Sequence, residues 1–169
     1  MGKGERQREG TETGYRGPQT CKIVGISYRQ LDHWARTGLV KPSLQEAKGS
    51  GTQRLYSFQD LVRLRVIKSL IDAGVDLRKI RKAIDYLATH LDEPLEETTL
   101  ISDGNSIWAA TKDREIIDLM RNGQAVFGLA LGKVFEDLHG SLATMAPETV
   151  ERAEPVDAQR ATPRRRSAR

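Results

Sequence analysis

The sequence predicts a mainly α-helical fold: an N-terminal winged helix-turn-helix head joined to a small C-terminal α+β module. Three observations predict it. A short helix bracketed at both ends runs from Ile26 to Gly38. Apolar residues then recur at helical spacing from Leu61 to Leu87. Beyond them the pattern changes to strand-like runs around Asp103-Gly104, a hairpin signal.

The bracketed helix organises the head. Ser27 is its N-cap and Gln30 sits at N3, so Ser27-x-x-Gln30 forms a capping box. Ile26 and Leu31 are placed to close over the cap as a hydrophobic staple. Gly38 supplies the left-handed residue that ends the helix. Leu31 and Ala35 share one face at i, i+4, which leaves Tyr28, Arg29, His33 and Arg36 for contacts outside the core. A capped helix with Tyr and Arg in its first turn is suited to presenting polar side chains to a DNA groove.

Before this helix, residues 1–14 hold no large apolar residue and are expected to be disordered. Gly17-Pro18 opens a first helix, with Cys21, Ile23 and Val24 as core candidates, and Gly25 ends it. Helix, tight Gly turn, helix is the helix-turn-helix pattern. After Gly38, Leu39-Val40 is a short extended piece closed by Pro42. Ser43–Gln53 and Arg54-Leu55-Tyr56 read as two short strands around a Gly-Ser tip, a wing that carries Lys48. Arg54 and Tyr56 alternate with Leu55 and so are expected on the same polar face.

Ser57, with Asp60 at N3, caps the next helix, which buries Leu61, Leu64, Ile67 and Ile71 and stops at Gly74. Asp76 caps another, with Leu77, Ile80, Ile84 and Leu87 inward and Arg78, Lys79, Arg81 and Lys82 outward. The head thus spans 15–91, followed by an acidic, Pro-containing linker at 92–97. The α+β module spans 98–144. It has a hairpin at Thr98–Ser102 and Ser106–Ala110, then a helix capped by Thr111 or Asp113. A strand at Ala125–Ala130 and an amphipathic helix through Leu131, Val134, Phe135, Leu138 and Leu142 complete it. Residues 145–169 read as a disordered basic tail.

Charge is divided sharply. Residues 15–90 hold 14 Lys/Arg against 6 Asp/Glu, whereas residues 91–150 hold 4 against 11. A basic block joined to an acidic one predicts that only the first meets a polyanion. A single cysteine, Cys21, excludes a disulfide framework and an all-Cys metal site within one chain. His33, His90 and His139 have no ligand-like spacing, so no metal or cofactor is expected. No apolar run approaches the roughly 18 residues that would cross a bilayer, so no membrane partner is expected and a cytoplasmic, nucleoid-associated location is. Nucleophile elbow, phosphate-cradling Gly loop and HExxH motif are all missing, which argues against an enzyme.

The order of helix-turn-helix, wing and two capped helices resembles the DNA-binding domain of MerR-family transcription regulators. The resemblance is carried by Gly25–Trp34, Gly38-Leu39-Val40-Lys41-Pro42, Gln53-Arg54-Leu55-Tyr56, Phe58-Gln59-Asp60-Leu61 and Ile71–Val75. Within that family, Tyr28-Arg29-Gln30-Leu31-Asp32 and Trp34–Val40 look most like an actinobacterial branch that includes regulators of cell-division genes. The resemblance implies DNA-binding roles for Ser27, Tyr28 and Arg29 in the major groove, with His33 and Trp34 at positions usually held by two tyrosines. It implies that Arg54 and Tyr56 grip the flanking backbone; Arg36 and Lys48 complete the expected DNA-binding set. Arg can fork onto guanine or phosphate, and a helix N-terminus favours an anion.

The expected function is a sequence-specific transcription regulator acting on an inverted-repeat promoter site, with growth or cell-division genes as the targets that the resemblance implies. Double-stranded DNA and RNA polymerase are the expected partners. The long dimerisation helix usual in the family is interrupted here by Pro94, so a homodimer is expected through the C-terminal module instead. That module also carries the case for a small-molecule effector site, on Trp108 and Phe127-Gly128-Leu129. The competing reading is an architectural or adaptor DNA-binding protein that recruits no polymerase.

Overall fold

The computed structural model describes residues 11–49, 51–89, 95–103, 106–110, 127–145 and 148–151. The helix expected after Thr111, the first half of the linker and the Arg-rich end of the chain lie outside them. Four helices build the head: α1 (Gly17–Val24), α2 (Tyr28–Arg36), α3 (Phe58–Asp72) and α4 (Leu77–Thr89). Their apolar stripes meet in one core around Val24, Leu31, Leu61, Leu64, Ile67, Leu70, Ile80 and Leu87. Burying each such side chain is worth roughly 1.5–3 kcal/mol. Leu77, expected inward, is 38% exposed because it occupies the first position of α4, before the helix reaches the core.

Two features of the ends and loops differ from the sequence-based expectation. A strand, β1 (Thr11–Arg16), begins inside the segment expected to be disordered. It pairs antiparallel on one side with β2 (Leu55–Tyr56), Tyr15 opposite Tyr56. On its other side it pairs with β6 (Glu148–Glu151), Thr11 opposite Glu151, in the expected tail. Polar strands of this kind are held by backbone ladders, which leave little hydrophobic signature in a sequence.

The wing is the second difference. Its two expected strands do not pair along their length: the only bridge between its limbs joins Gln45 to Leu55 among the described residues. The backbone N–H of Lys48 donates to Thr52 Oγ1 at 2.6 Å across the tip. The wing's base is fixed by a carboxylate instead. Asp60 Oδ2, fully buried in the first turn of α3, accepts from the Ser43 N–H at 2.8 Å and the Ser43 hydroxyl at 2.7 Å. The same oxygen accepts from the Ser57 N–H at 3.0 Å, which closes the α3 capping box, and Arg63 pairs with Oδ1 at 3.3 Å.

The hairpin forms as expected, β3 (Thr99–Ser102) against β4 (Ile107–Ala110) with Ser102 opposite Ile107. Strand β5 (Phe127–Ala130) pairs with the other edge of β3, giving the antiparallel order β4-β3-β5. Helix α5 (Leu131–Leu142) does not stay within this module. It packs on α3 and α1, and Leu131, Val134 and Leu138 join the same core as Leu61 and Leu64. Phe58 at the start of α3 stacks on His139 with ring centroids 4.7 Å apart and tilts against Phe135 at 5.7 Å. A unit of about 45 residues buries too little surface to be stable alone, and sharing the head's core removes that deficit.

Gly132 permits the closest approach at this seam, because a Cβ there would stand 2.6 Å from the Glu96 carbonyl oxygen. Gly140 lies two turns on in the same helix, and a Cβ there would meet nothing within 4 Å. Gly132→Ala is therefore expected to destabilise the fold by about 1–3 kcal/mol in urea denaturation. Gly140→Ala is expected to stabilise it by about 0.5–1 kcal/mol.

Candidate nucleic-acid interface

The N-terminus of α2 is fixed by reciprocal bonds. The Gln30 N–H donates to Ser27 Oγ at 3.2 Å, and the Ser27 N–H donates to Gln30 Oε1 at 3.0 Å. The C-terminus ends in a Schellman turn: Leu39 N–H donates to the Trp34 carbonyl at 2.9 Å and Gly38 N–H to that of Ala35 at 3.2 Å. Gly38 adopts φ 70°, the left-handed conformation this turn requires. Arg81 of α4 donates to the Thr37 carbonyl at 3.2 Å and ties this end to the head. Leu31, Trp34 and Ala35 are buried, whereas Ser27, Tyr28, Arg29, His33 and Arg36 are exposed.

Tyr28 is the most exposed large hydrophobic side chain among the described residues, at 60%. Its ring lies over Gly17, where a Cβ would come within 3.2 Å of Tyr28 Cε2. A recess of about 450 Å³ opens beneath it, lined by Gly17, Tyr28, Asp32, Gln53, Arg54 and Tyr56. The recognition-helix candidates and the base of the wing thus share one concavity. Lys48 is exposed at the wing tip. Arg29 makes no hydrogen bond or ion pair among the described residues, so its guanidinium is open to a ligand.

Arg54 stands differently. Its Nη1 lies 2.8 Å from Asp32 Oδ1, and Asp32 Oδ2 forms an ion pair with Arg36 one turn further along α2. Arg54 first, and Arg36 after it, hold the Asp32 carboxyl below its ordinary range. Asp32 in turn raises the Arg54 guanidinium further above its ordinary value. Sequence reasoning passed over Asp32, although its i, i+4 spacing to Arg36 was a readable signal. The pairing with Arg54 depends on the fold and had none.

Two expected contact residues lie inside. Trp34 is 4% exposed because it falls on the Leu31–Ala35 side of α2, so it supports the helix from within. Tyr56 is fully buried, since β2 is packed against α1 and α3 as well as paired with β1. The expected polar face for Arg54 and Tyr56 is therefore not shared: Arg54 is partly exposed, and Tyr56 is covered. Burial pushes the Tyr56 phenol up to about 12. Its hydroxyl has no hydrogen-bond partner among the described residues. Cys21 is half-buried on α1 with its thiol pushed up by burial, the behaviour of a packed side chain. No helix among the described residues is long and apolar enough to cross a membrane.

A capped, outward-facing second helix backed by a wing defines a winged helix-turn-helix domain of the DNA-binding class. Residues 15–87 match the MerR HTH family regulatory protein model, which makes this domain a MerR-type helix-turn-helix. HTH-type transcriptional regulators of Mycobacterium tuberculosis and Mycobacterium bovis, both labelled uncharacterized, are 46% identical over 145 residues. That match takes in 86% of this chain and 64% of theirs, so the chain spans a little under two thirds of their length. The nodulation protein NolA of Bradyrhizobium elkanii is 30% identical over 95 residues, half of this chain and 42% of its own.

The unpartnered Tyr56 hydroxyl gives a test of the site's construction. Tyr56→Phe removes a buried polar atom that makes no bond, so stability is expected to be unchanged or to rise by up to about 1 kcal/mol in thermal or urea unfolding. An alkaline titration followed at 295 nm should lose one slow tyrosinate step near pH 12 in the variant. Because the folded-state value lies above the ordinary 10.0, wild-type stability is full below pH 10 and falls as pH rises towards 12.

Proposed function

We propose that the chain is a sequence-specific, DNA-binding transcription regulator. The observation that carries this reading is the outward first turn of α2, with Tyr28 and Arg29 exposed on a helix capped at both ends beside the wing. Arg29 is the base-reading candidate, since a guanidinium can bond guanine O6 and N7 together. Ser27, His33 and Arg36 on α2 and Lys48 at the wing tip are exposed and serve the phosphate backbone, with Arg54 at the wing base. Trp34 and Tyr56 act from beneath, by holding α2 and β2 in place.

The reading extends to a homodimer on an inverted repeat at a promoter, with RNA polymerase as its neighbour there. The names of the mycobacterial relatives favour transcriptional regulation. Dimerisation through the C-terminal module is supported by Trp108, 40% exposed on β4, an edge strand of the described sheet. Growth or cell-division genes as targets, and a location on the nucleoid, follow from the family resemblance.

Selection of bound duplexes from a random pool tests this directly. An enriched inverted repeat is expected; binding without any enriched motif, and lost as salt rises, supports the architectural alternative. On the selected duplex, Arg29→Ala is expected to cost about 1–3 kcal/mol of binding free energy and to relax preference at one base position. Unchanged affinity and preference would remove Arg29 from the contact set.

A further inference from the structure

Asp32 stands between two of the cations that face a duplex. Its Oδ1 accepts from Arg54 Nη1 at 2.8 Å, and its Oδ2 pairs with Arg36. Arg54 belongs to the wing base, 22 residues further along the chain, so this one carboxylate ties the recognition helix to the wing. It is 22% exposed, whereas Arg36 is 75% exposed. Lys41 and Glu46 line the neighbouring recess together with Arg36 and Arg54, and Arg29 and His33 stand on the outer side of α2.

We propose that Asp32 is a positioning and specificity-determining residue of the DNA-binding face. It sets Arg54 against the recognition helix and withholds positive charge from the phosphate backbone. The inference rests on the DNA-binding reading above. Affinity for any duplex grows with the number of phosphates neutralised, whereas discrimination comes from base contacts. With Asp32 between them, Arg36 and Arg54 present a net charge of one rather than two to a phosphate. Holding Arg54 in one place also lowers the ordering cost when the wing meets its site. Both effects raise the ratio of specific to non-specific binding.

The test compares wild type with Asp32→Asn, which keeps the shape and removes the charge, and Asp32→Glu, which restores it. On a random-sequence duplex, Asp32→Asn is expected to bind about 3–10-fold tighter at low salt, with the salt slope steeper by about one. In selection from a random pool, its motif is expected to flatten, with the specificity ratio down about tenfold while Asp32→Glu stays near wild type. Equal change on every duplex with an unaltered slope would make Asp32 a merely structural residue and overturn the proposal. Arg36→Gln, at a position 75% exposed, is the second variant. Because Asp32 offsets only one of the two guanidinium charges, Arg36→Gln should lower random-duplex affinity about as much as Asp32→Asn raises it. The double variant Asp32→Asn/Arg36→Gln should return near wild type; a double variant as tight as Asp32→Asn would contradict the proposal. If wild type enriches no motif, the regulator reading fails, while the salt slope and the double variant still decide the role of Asp32.

Discussion

The buried carboxylate of Asp60 is the constraint on which the geometry of the wing depends. One oxygen holds both polar groups of Ser43 at the start of the wing and the N-cap backbone of α3. The wing cannot orient itself, because a single bridge joins its limbs among the described residues. Its direction is therefore inherited from the first turn of α3. Removing one partner of a buried hydrogen-bonded charge typically costs about 3–5 kcal/mol, so this node is far stronger than an exposed ion pair. Asp32 and Arg54 then complete the arrangement at the wing's other limb.

The same turn of α3 also receives the C-terminal module. Phe58, two residues before Asp60, stacks on His139 and meets Phe135, and Leu131, Val134 and Leu138 of α5 extend the head's core. The wing and α5 are thus anchored within one helical turn of each other. The chain's basic and acidic blocks are not independent bodies hung on a linker; they share buried surface. An apolar stripe that looks like a spare dimerisation face in the sequence is mostly consumed inside the chain, which leaves Trp108 as the module's exposed large apolar group among the described residues.

The head was legible in the sequence because its determinants are local. Ser27-x-x-Gln30, Ser57-x-x-Asp60, Gly38 and Gly74 mark helix ends within a few residues, and 3.6-residue periodicity marks the buried faces of α3 and α4. The exposure of Tyr28, Arg29, His33 and Arg36 followed from the same periodicity. What stayed hidden depends on partners distant in sequence. Thr11–Arg16 becomes a strand because Tyr56 and Glu148–Glu151 lie beside it, and Tyr56 is buried because α1 and α3 close over β2. Period-two alternation placed Arg54 and Tyr56 on one face, but a two-residue strand is too short for alternation to decide which face meets solvent. Trp34 was misplaced by analogy with an aromatic pair, although its spacing from Leu31 already put it near the core side.

The claim that α2 and the wing form the DNA-binding face is tested most directly by amide hydrogen exchange of the full chain, with and without a duplex. The account predicts slowed exchange in the first turn of α2 and along the wing, centred on residues 27–31 and 43–56. Slowed exchange confined to α5 and the β4-β3-β5 sheet, with α2 and the wing unchanged, would contradict it.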